Sequence, residues 1–192
     1  MVMLIEGPDR EEIFRRLFPD YPNEAQISRF LQALGRSITV WQLVETALYE
    51  VYEVAIGPQR PGAAASGFHA IQTFQIKLKA TNAAIRFLFY DNSGLDEEWQ
   101  KLYQSADKKS QRRNQLVHFS TYIMSREKRE NDKIRLEPQL HDYRHPPGDV
   151  PKFRVTDIIA FGTRFDALAK ELMAFKSKLS AALGERQHTA SP

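Results

Sequence analysis

The sequence is most restrictive in what it lacks. None of its 192 residues is cysteine, which excludes a disulfide framework and a cysteine-ligated zinc ribbon. No apolar run approaches the ~20 residues that a membrane-spanning helix needs. The opening residues, MVMLIEGPDREE, lack the basic and long apolar regions of a signal peptide. No glycine-rich phosphate loop or nucleophile elbow is present either. We therefore expect a cytoplasmic protein that has no membrane partner.

The charge of the chain is unevenly distributed. The net charge of +3 is too small to indicate a nucleic-acid-binding protein by itself. Residues 108–135, however, contain nine lysines and arginines and three acidic residues, a local balance of +6. Such a run is most often a solvated helix face. Beside an active site, the same charge would attract a polyanion.

Apolar residues recur at helical spacing along most of the chain. The pattern predicts a short helix over residues 9–18 and four long helices over about 24–56, 68–90, 95–124 and 156–183. Asn23 and Gln26 resemble a capping box at the start of the first long helix. Residues spaced seven apart predict the buried faces of the first and last long helices: Ile27, Leu34, Trp41, Leu48 and Ala55, and Ile158, Phe165, Leu172 and Leu179.

The connecting segments lack this periodicity. Residues 57–67 are rich in proline, glycine and alanine and are expected to form a loop. Within residues 125–155, the runs IRLEPQL and KFRVT predict a small hairpin-like insert between the third and fourth long helices. The expected fold is therefore all-α, a four-helix bundle forming one domain over residues 1–184. Residues 185–192 are expected to be a flexible C-terminal tail.

The stretch RRNQLVHF, residues 112–119, places polar residues in the apolar face of the third long helix. A charged group in such a face is costly unless it finds a partner or faces a second subunit. Arg113 and His118 lie five residues apart, which separates them by ~140° around a helix axis. One helix cannot easily direct both at one atom, whereas two copies related by a two-fold axis could.

The sequence Arg113-Asn114-Gln115-Leu116-Val117-His118 resembles the R-x(4–6)-H signature of HEPN domains (higher eukaryotes and prokaryotes nucleotide-binding). These helical bundles carry the motif late in a long helix, usually with a polar residue directly after the arginine. Ribonucleases of the family dimerise and cut RNA without a metal, and many accompany a nucleotidyltransferase antitoxin. The resemblance implies that Arg113 and His118 are catalytic and that Asn114 is the adjoining polar residue. It covers the bundle loosely and the motif closely.

The residue types suit RNA cleavage. The 2′-hydroxyl of RNA is a built-in nucleophile, histidine can accept its proton near neutral pH, and arginine offers a fork of donors that matches phosphate oxygens. With this chemistry, the resemblance implies a metal-independent endoribonuclease, a toxin or defence effector, which acts as a homodimer without a cofactor. Its products would have 2′,3′-cyclic phosphate ends. The predicted RNA-binding residues are Lys109, Arg112, Arg126, Lys128 and Arg129.

Other interpretations remain open at this point. The protein could be a non-catalytic scaffold, or a regulatory interaction or nucleotide-binding protein. His118 could be an ordinary core histidine, with Arg113 paired to Glu45 or Glu53. The two histidines of HDYRH, residues 141–145, have the spacing of a helical metal pair, but the following prolines favour a surface loop and no metal is expected.

Overall fold

A computed structural model describes residues 22–57, 61–89, 93–122, 126–128, 134–136, 138–142 and 152–189. Most of them belong to five α-helices: α1 Glu24–Ile56, α2 Pro61–Ala70, α3 Phe74–Leu88, α4 Ser93–His118 and α5 Val155–Thr189. Four three-residue strands lie between α4 and α5: β1 Ser120–Tyr122, β2 Arg126–Lys128, β3 Ile134–Leu136 and β4 Gln139–His141. The predicted helix over residues 9–18 lies outside the described residues. None of the described helices has the length and apolar character that crossing a bilayer requires.

Helix α1 begins and ends where the sequence predicts. The backbone N–H of Asn23 donates to Gln26 Oε1 at 2.9 Å, and the backbone N–H of Gln26 donates to Asn23 Oδ1 at 2.9 Å. This reciprocal pair is the predicted capping box, in which side chains satisfy backbone donors that the first helical turn leaves unpaired. At the other end, Gly57 adopts φ 85° and its N–H donates to the carbonyl of Glu53 at 3.2 Å. Glycine tolerates this left-handed conformation best, so the helix ends there.

Replacing the cap residue should weaken α1 measurably. We expect Asn23→Ala to lower the free energy of unfolding by about 1 kcal/mol, because the N–H of Gln26 loses its side-chain acceptor and keeps only the carbonyl oxygen of residue 23. Asn23→Ser keeps a side-chain oxygen at the cap and should retain most of the stability. Urea unfolding of the two variants and the wild type measures the difference. Equal losses in both variants would show that the capping bond contributes nothing.

The second long helix differs from the prediction. Residues 61–67, predicted to be part of a loop, form α2 together with residues 68–70. The predicted helix over residues 68–90 is therefore interrupted after Ala70 and resumes at Phe74. Proline is well tolerated at the first position of a helix, where its missing N–H is not needed, and the alanines that follow favour the helix. Thr73 interrupts the chain with extended backbone angles, φ −110° and ψ 140°. Its side chain accepts a hydrogen bond from the N–H of Ile76 at 3.3 Å and caps α3.

The third predicted long helix corresponds to α4 and is shorter than predicted. It ends at His118 instead of residue 124, and β1 follows at Ser120. Strand β1 pairs antiparallel with β4, and β2 pairs antiparallel with β3. The two runs predicted to be strands meet at a single bridge, in which Leu140 and Phe153 exchange backbone hydrogen bonds of 3.1 and 3.2 Å. Pairing with residues about twenty positions away therefore ends a helix that local periodicity would continue.

Helix α5 also departs from its predicted end. Asp157 lies in its first turn, and its Oδ2 accepts a hydrogen bond from the N–H of Arg154 at 2.9 Å. The helix then continues to Thr189, six residues beyond the predicted end at residue 183. Residues 185–189 are thus helical where the sequence predicts a flexible tail over residues 185–192. The last three residues lie outside the described part of the chain.

The chain divides into two compact units. One comprises Met1–Gly35 and His118–Ile159, and the other comprises Arg36–Val117 and Ala160–Pro192. The divisions fall inside α1, α4 and α5 and not in a linker, so a single domain over residues 1–184 stays a prediction. In the first unit, the ring of Phe119 stacks on the ring of Phe153 with centroids 5.6 Å apart. Leu140 and Ile158 are fully buried there.

Two tryptophans lie in the core of the second unit. The ring of Trp41 meets the rings of Phe74 and Phe165 edge-on, with centroids 4.7 and 5.0 Å away. Trp99 packs against Phe175 at 5.4 Å. The predicted buried residues of α5 are all buried, as are Trp41, Leu48 and Ala55 of α1. The other two residues of that predicted face of α1, Ile27 and Leu34, are only half-buried.

Candidate functional site

The R-N-x-x-x-H motif occupies the last two turns of α4. Ala106, Ser110 and Leu116 are buried on the inner side of this helix. Arg113 is half-buried, whereas Asn114 is exposed. His118 is the last residue of the helix and is also exposed. The structure therefore does not place His118 in the core, as the alternative interpretation of a structural histidine requires.

The guanidinium of Arg113 is held from one side by its neighbour. Its Nη1 donates to Asn114 Oδ1 at 3.2 Å. Its Nε is buried and has no hydrogen-bond partner in the described part of the chain. Leaving a buried donor unsatisfied costs about 1–3 kcal/mol, and more for a charged group. Asn114 thus orients the guanidinium through Nη1, while the buried Nε keeps no partner among the described residues.

The two glutamates considered as partners of Arg113 are bonded elsewhere. Glu45 accepts a hydrogen bond from Trp41 Nε1 at 3.0 Å and pairs with Lys77 Nζ at 3.2 Å. Glu53 Oε1 accepts a hydrogen bond from the Tyr49 hydroxyl at 2.7 Å. These contacts contradict the proposed pairing of Arg113 with either glutamate. Nor does any cluster of three or more histidine or acidic side chains suited to a metal occur among the described residues.

The hydrogen bond to Glu53 governs the titration of Tyr49. This bond, together with burial and the nearby charges of Glu53 and Glu50, raises the pKa of Tyr49 from 10.0 to about 12. We expect Glu53→Gln to lower that pKa towards its ordinary value, because the amide carries no negative charge. The pKa of Tyr49 is higher in the folded state than in the unfolded state, so the protonated hydroxyl stabilises the folded protein below pH 10. This stabilisation is lost as the pH rises through about 12.

An ultraviolet titration of tyrosinate formation measures this change. Tyr49→Phe identifies which of the tyrosine transitions belongs to residue 49. A Glu53→Gln variant that titrates like the wild type would show that Glu53 does not hold the hydroxyl proton.

The predicted RNA-binding residues occupy different kinds of position. Arg112 is exposed, and its Nη1 donates to Gln115 Oε1 at 2.9 Å. Lys109 is only half-exposed, and its Nζ donates to Ser105 Oγ, one turn back on the same helix. Arg126 and Lys128 lie in β2, and Arg129 lies outside the described residues. Arg112 is thus an exposed cation that directly adjoins the motif.

A buried polar network one turn before Arg113 was not predicted. Gln75 Nε2 donates to Asp107 Oδ1 at 2.7 Å and to Ser110 Oγ at 2.9 Å. The hydroxyl of Ser110 donates in turn to the carbonyl oxygen of Asp107 at 2.7 Å. The network links α3 to α4 and holds the carboxyl-terminal half of α4. No sequence signal marks it, because Gln75 and Ser110 are 35 residues apart.

The first histidine of the HDYRH segment does not lie in a helix. His141 is the last residue of β4 and is half-buried. His145 lies outside the described residues. A spacing of four residues stacks two side chains on a helix, and His141 lies in a strand, so this spacing does not predict a metal pair at His141.

Comparisons of the chain with protein-family models, with curated proteins and with solved structures find no match. The motif and its surroundings on α4 must therefore be interpreted from their own chemistry.

Proposed function

We propose that the protein is a metal-independent endoribonuclease of the HEPN type, built on a helical bundle and acting as a homodimer. One observation carries the proposal. The guanidinium of Arg113 is half-buried, held by Asn114 and left with an unsatisfied Nε, on the same helix that ends in the exposed His118. A purely structural arginine would be expected to use its buried donor.

The chemistry assigns one task to each side chain. His118 accepts the proton of the 2′-hydroxyl, and the resulting oxygen attacks the adjacent phosphorus. Arg113 donates to the phosphate oxygens and stabilises the charge that builds up on them. The bond from phosphorus to the 5′-oxygen breaks, and a proton returns to that oxygen. The products are a 2′,3′-cyclic phosphate and a free 5′-hydroxyl, and no redox partner is needed. Asn114 positions the guanidinium.

The angular separation of the two side chains favours a site that is shared by two copies of the helix. Five residues separate Arg113 from His118, so they point ~140° apart on α4. An isologous dimer would bring the arginine of one protomer and the histidine of the other to the same cleft. The family resemblance adds a second protein as a possible partner, a nucleotidyltransferase antitoxin that restrains the toxin.

Cleavage of RNA in the presence of EDTA tests the proposal. Purified protein should cut single-stranded or loop RNA to products that end in a cyclic phosphate, and EDTA should leave the rate unchanged. Mass spectrometry of the fragments distinguishes the cyclic phosphate from the 3′-hydroxyl left by most metal-dependent nucleases. Activity that EDTA abolishes would contradict the proposal. An inactive but folded protein that binds partners through its surface charges would favour the scaffold interpretation.

A further inference from the structure

The outer side of α4 carries an uninterrupted row of cationic and amide side chains. At ~100° per residue, Lys101, Lys108 and Arg112 lie within about 20° of one line along the helix, opposite the buried Ser110. Three glutamines flank this line on one side. We name this surface the α4 ridge, and its members are Lys101, Gln104, Lys108, Gln111, Arg112 and Gln115.

The ridge is accessible and keeps its positive charge. All of its members are exposed except Gln115, which is half-exposed. Lys101 and Lys108 form no ion pair with any acid in the described part of the chain. Between residues 99 and 118, α4 contains one acid, Asp107, which is directed elsewhere and accepts a hydrogen bond from Gln75.

The shape of the ridge favours a polynucleotide backbone over other polyanions. Lys101 and Arg112 are eleven residues apart, or about 16 Å along the axis, so the cations form a single file. The amides beside them can both donate to and accept from sugar hydroxyls and base edges. A membrane-binding helix needs apolar anchors beside its cations, and the ridge has none. Glu97, exposed one turn before Lys101, ends the row.

We propose that the α4 ridge is the track along which a single RNA strand reaches the Arg113 turn, with Lys101 and Lys108 contacting phosphates distant from the cut. The inference rests on the proposed function for the identity of the strand as RNA. It assigns the phosphate contacts to two lysines, neither of which is Lys109. It also predicts that tight binding requires an oligonucleotide long enough to span the ridge.

The test measures the salt dependence of binding. A single-stranded oligodeoxynucleotide of about 16 nucleotides, at the upper end of common site sizes, binds without being cut. For single strands, the slope of log affinity against log salt changes by about 0.7 for each phosphate contact. Lys101→Gln and Lys108→Gln should therefore each reduce the slope by about 0.7, and the double variant by about 1.4. Lys79→Gln removes an equally exposed charge from α3 and should leave the slope unchanged.

The outcomes separate this proposal from the nuclease proposal. If the slopes change as expected but the protein never cuts RNA, the result would support nucleic-acid binding by the α4 ridge and contradict the proposed nuclease activity. Cutting of RNA with slopes unaffected by Lys101→Gln and Lys108→Gln would overturn the ridge. Equal weakening by the Lys79→Gln control, or equally tight binding of poly-glutamate, would reduce the ridge to general charge attraction and would also overturn it.

Discussion

Purified His118→Ala protein is expected to cut RNA about 100-fold more slowly than the wild type, or slower still, the usual scale for removing a general acid or base. The reason is specific to the 2′-hydroxyl, which is a poor nucleophile until a base accepts its proton. His118 is exposed at the end of α4, so its removal leaves no cavity in the core. We therefore expect circular dichroism and thermal unfolding of the variant to match those of the wild type.

A second histidine provides the matched control. His69 lies on α2 and is also exposed. The centroid of its ring is 5.3 Å from the centroid of the Tyr49 ring. His69→Ala should cut RNA at the wild-type rate. Cleavage at equal rates by wild type and His118→Ala would mean that the activity comes from another site or from a contaminating nuclease. Equal losses in both histidine variants would point to a general effect of the substitutions.

Arg113→Ala is expected to be about as damaging, with a loss of about 100-fold to 1000-fold, typical for a donor that stabilises developing charge. Arg113→Lys should recover little of that rate, although it restores the positive charge. A lysine presents a single ammonium group, whereas the guanidinium offers a planar fork that can bind Asn114 and a phosphate at the same time. Single-turnover cleavage rates at saturating protein measure the chemical step apart from RNA binding.

Arg86 is the control for the loss of charge. It lies on the exposed side of α3, away from the motif in the sequence, and Arg86→Ala should leave the rate unchanged. Full recovery by Arg113→Lys would show that a point charge suffices, which would contradict the role given to the fork. A large fall in thermal stability of Arg113→Ala would instead assign Arg113 a structural role.

The sequence predicted those features of the helices that depend on residues close together in the chain. Asn23 and Gln26 form the predicted capping box because both partners lie within one turn. The buried face of α5 follows from its seven-residue spacing. Prediction failed where distant residues decide. Helix α4 ends earlier than predicted because β1 pairs with β4. Helix α2 was not predicted because its composition is typical of loops.

The candidate site was predictable as a motif but not as an arrangement. The sequence places Arg113, Asn114 and His118 late in a helix predicted to end at residue 124. The structure keeps them on one helix but ends it at His118. The sequence could not indicate that Lys77 forms an ion pair with Glu45, because the two residues lie 32 positions apart. Lys101, Lys108 and Arg112 are spaced seven and four residues apart, which places them on one line of a helix. The predicted RNA-binding residues were chosen by local charge density instead, and most of them lie further along the chain.

The most direct test of the composite site is complementation between two inactive variants. Arg113→Ala protein retains His118, and His118→Ala protein retains Arg113. After the two are mixed and allowed to exchange subunits, half of the dimers are mixed, and each mixed dimer has one intact site. Activity should then recover to about a quarter of the wild-type rate, as expected for a two-fold dimer with two sites. If mixing restores no activity although light scattering and subunit labelling show mixed dimers, the site does not combine Arg113 of one protomer with His118 of the other.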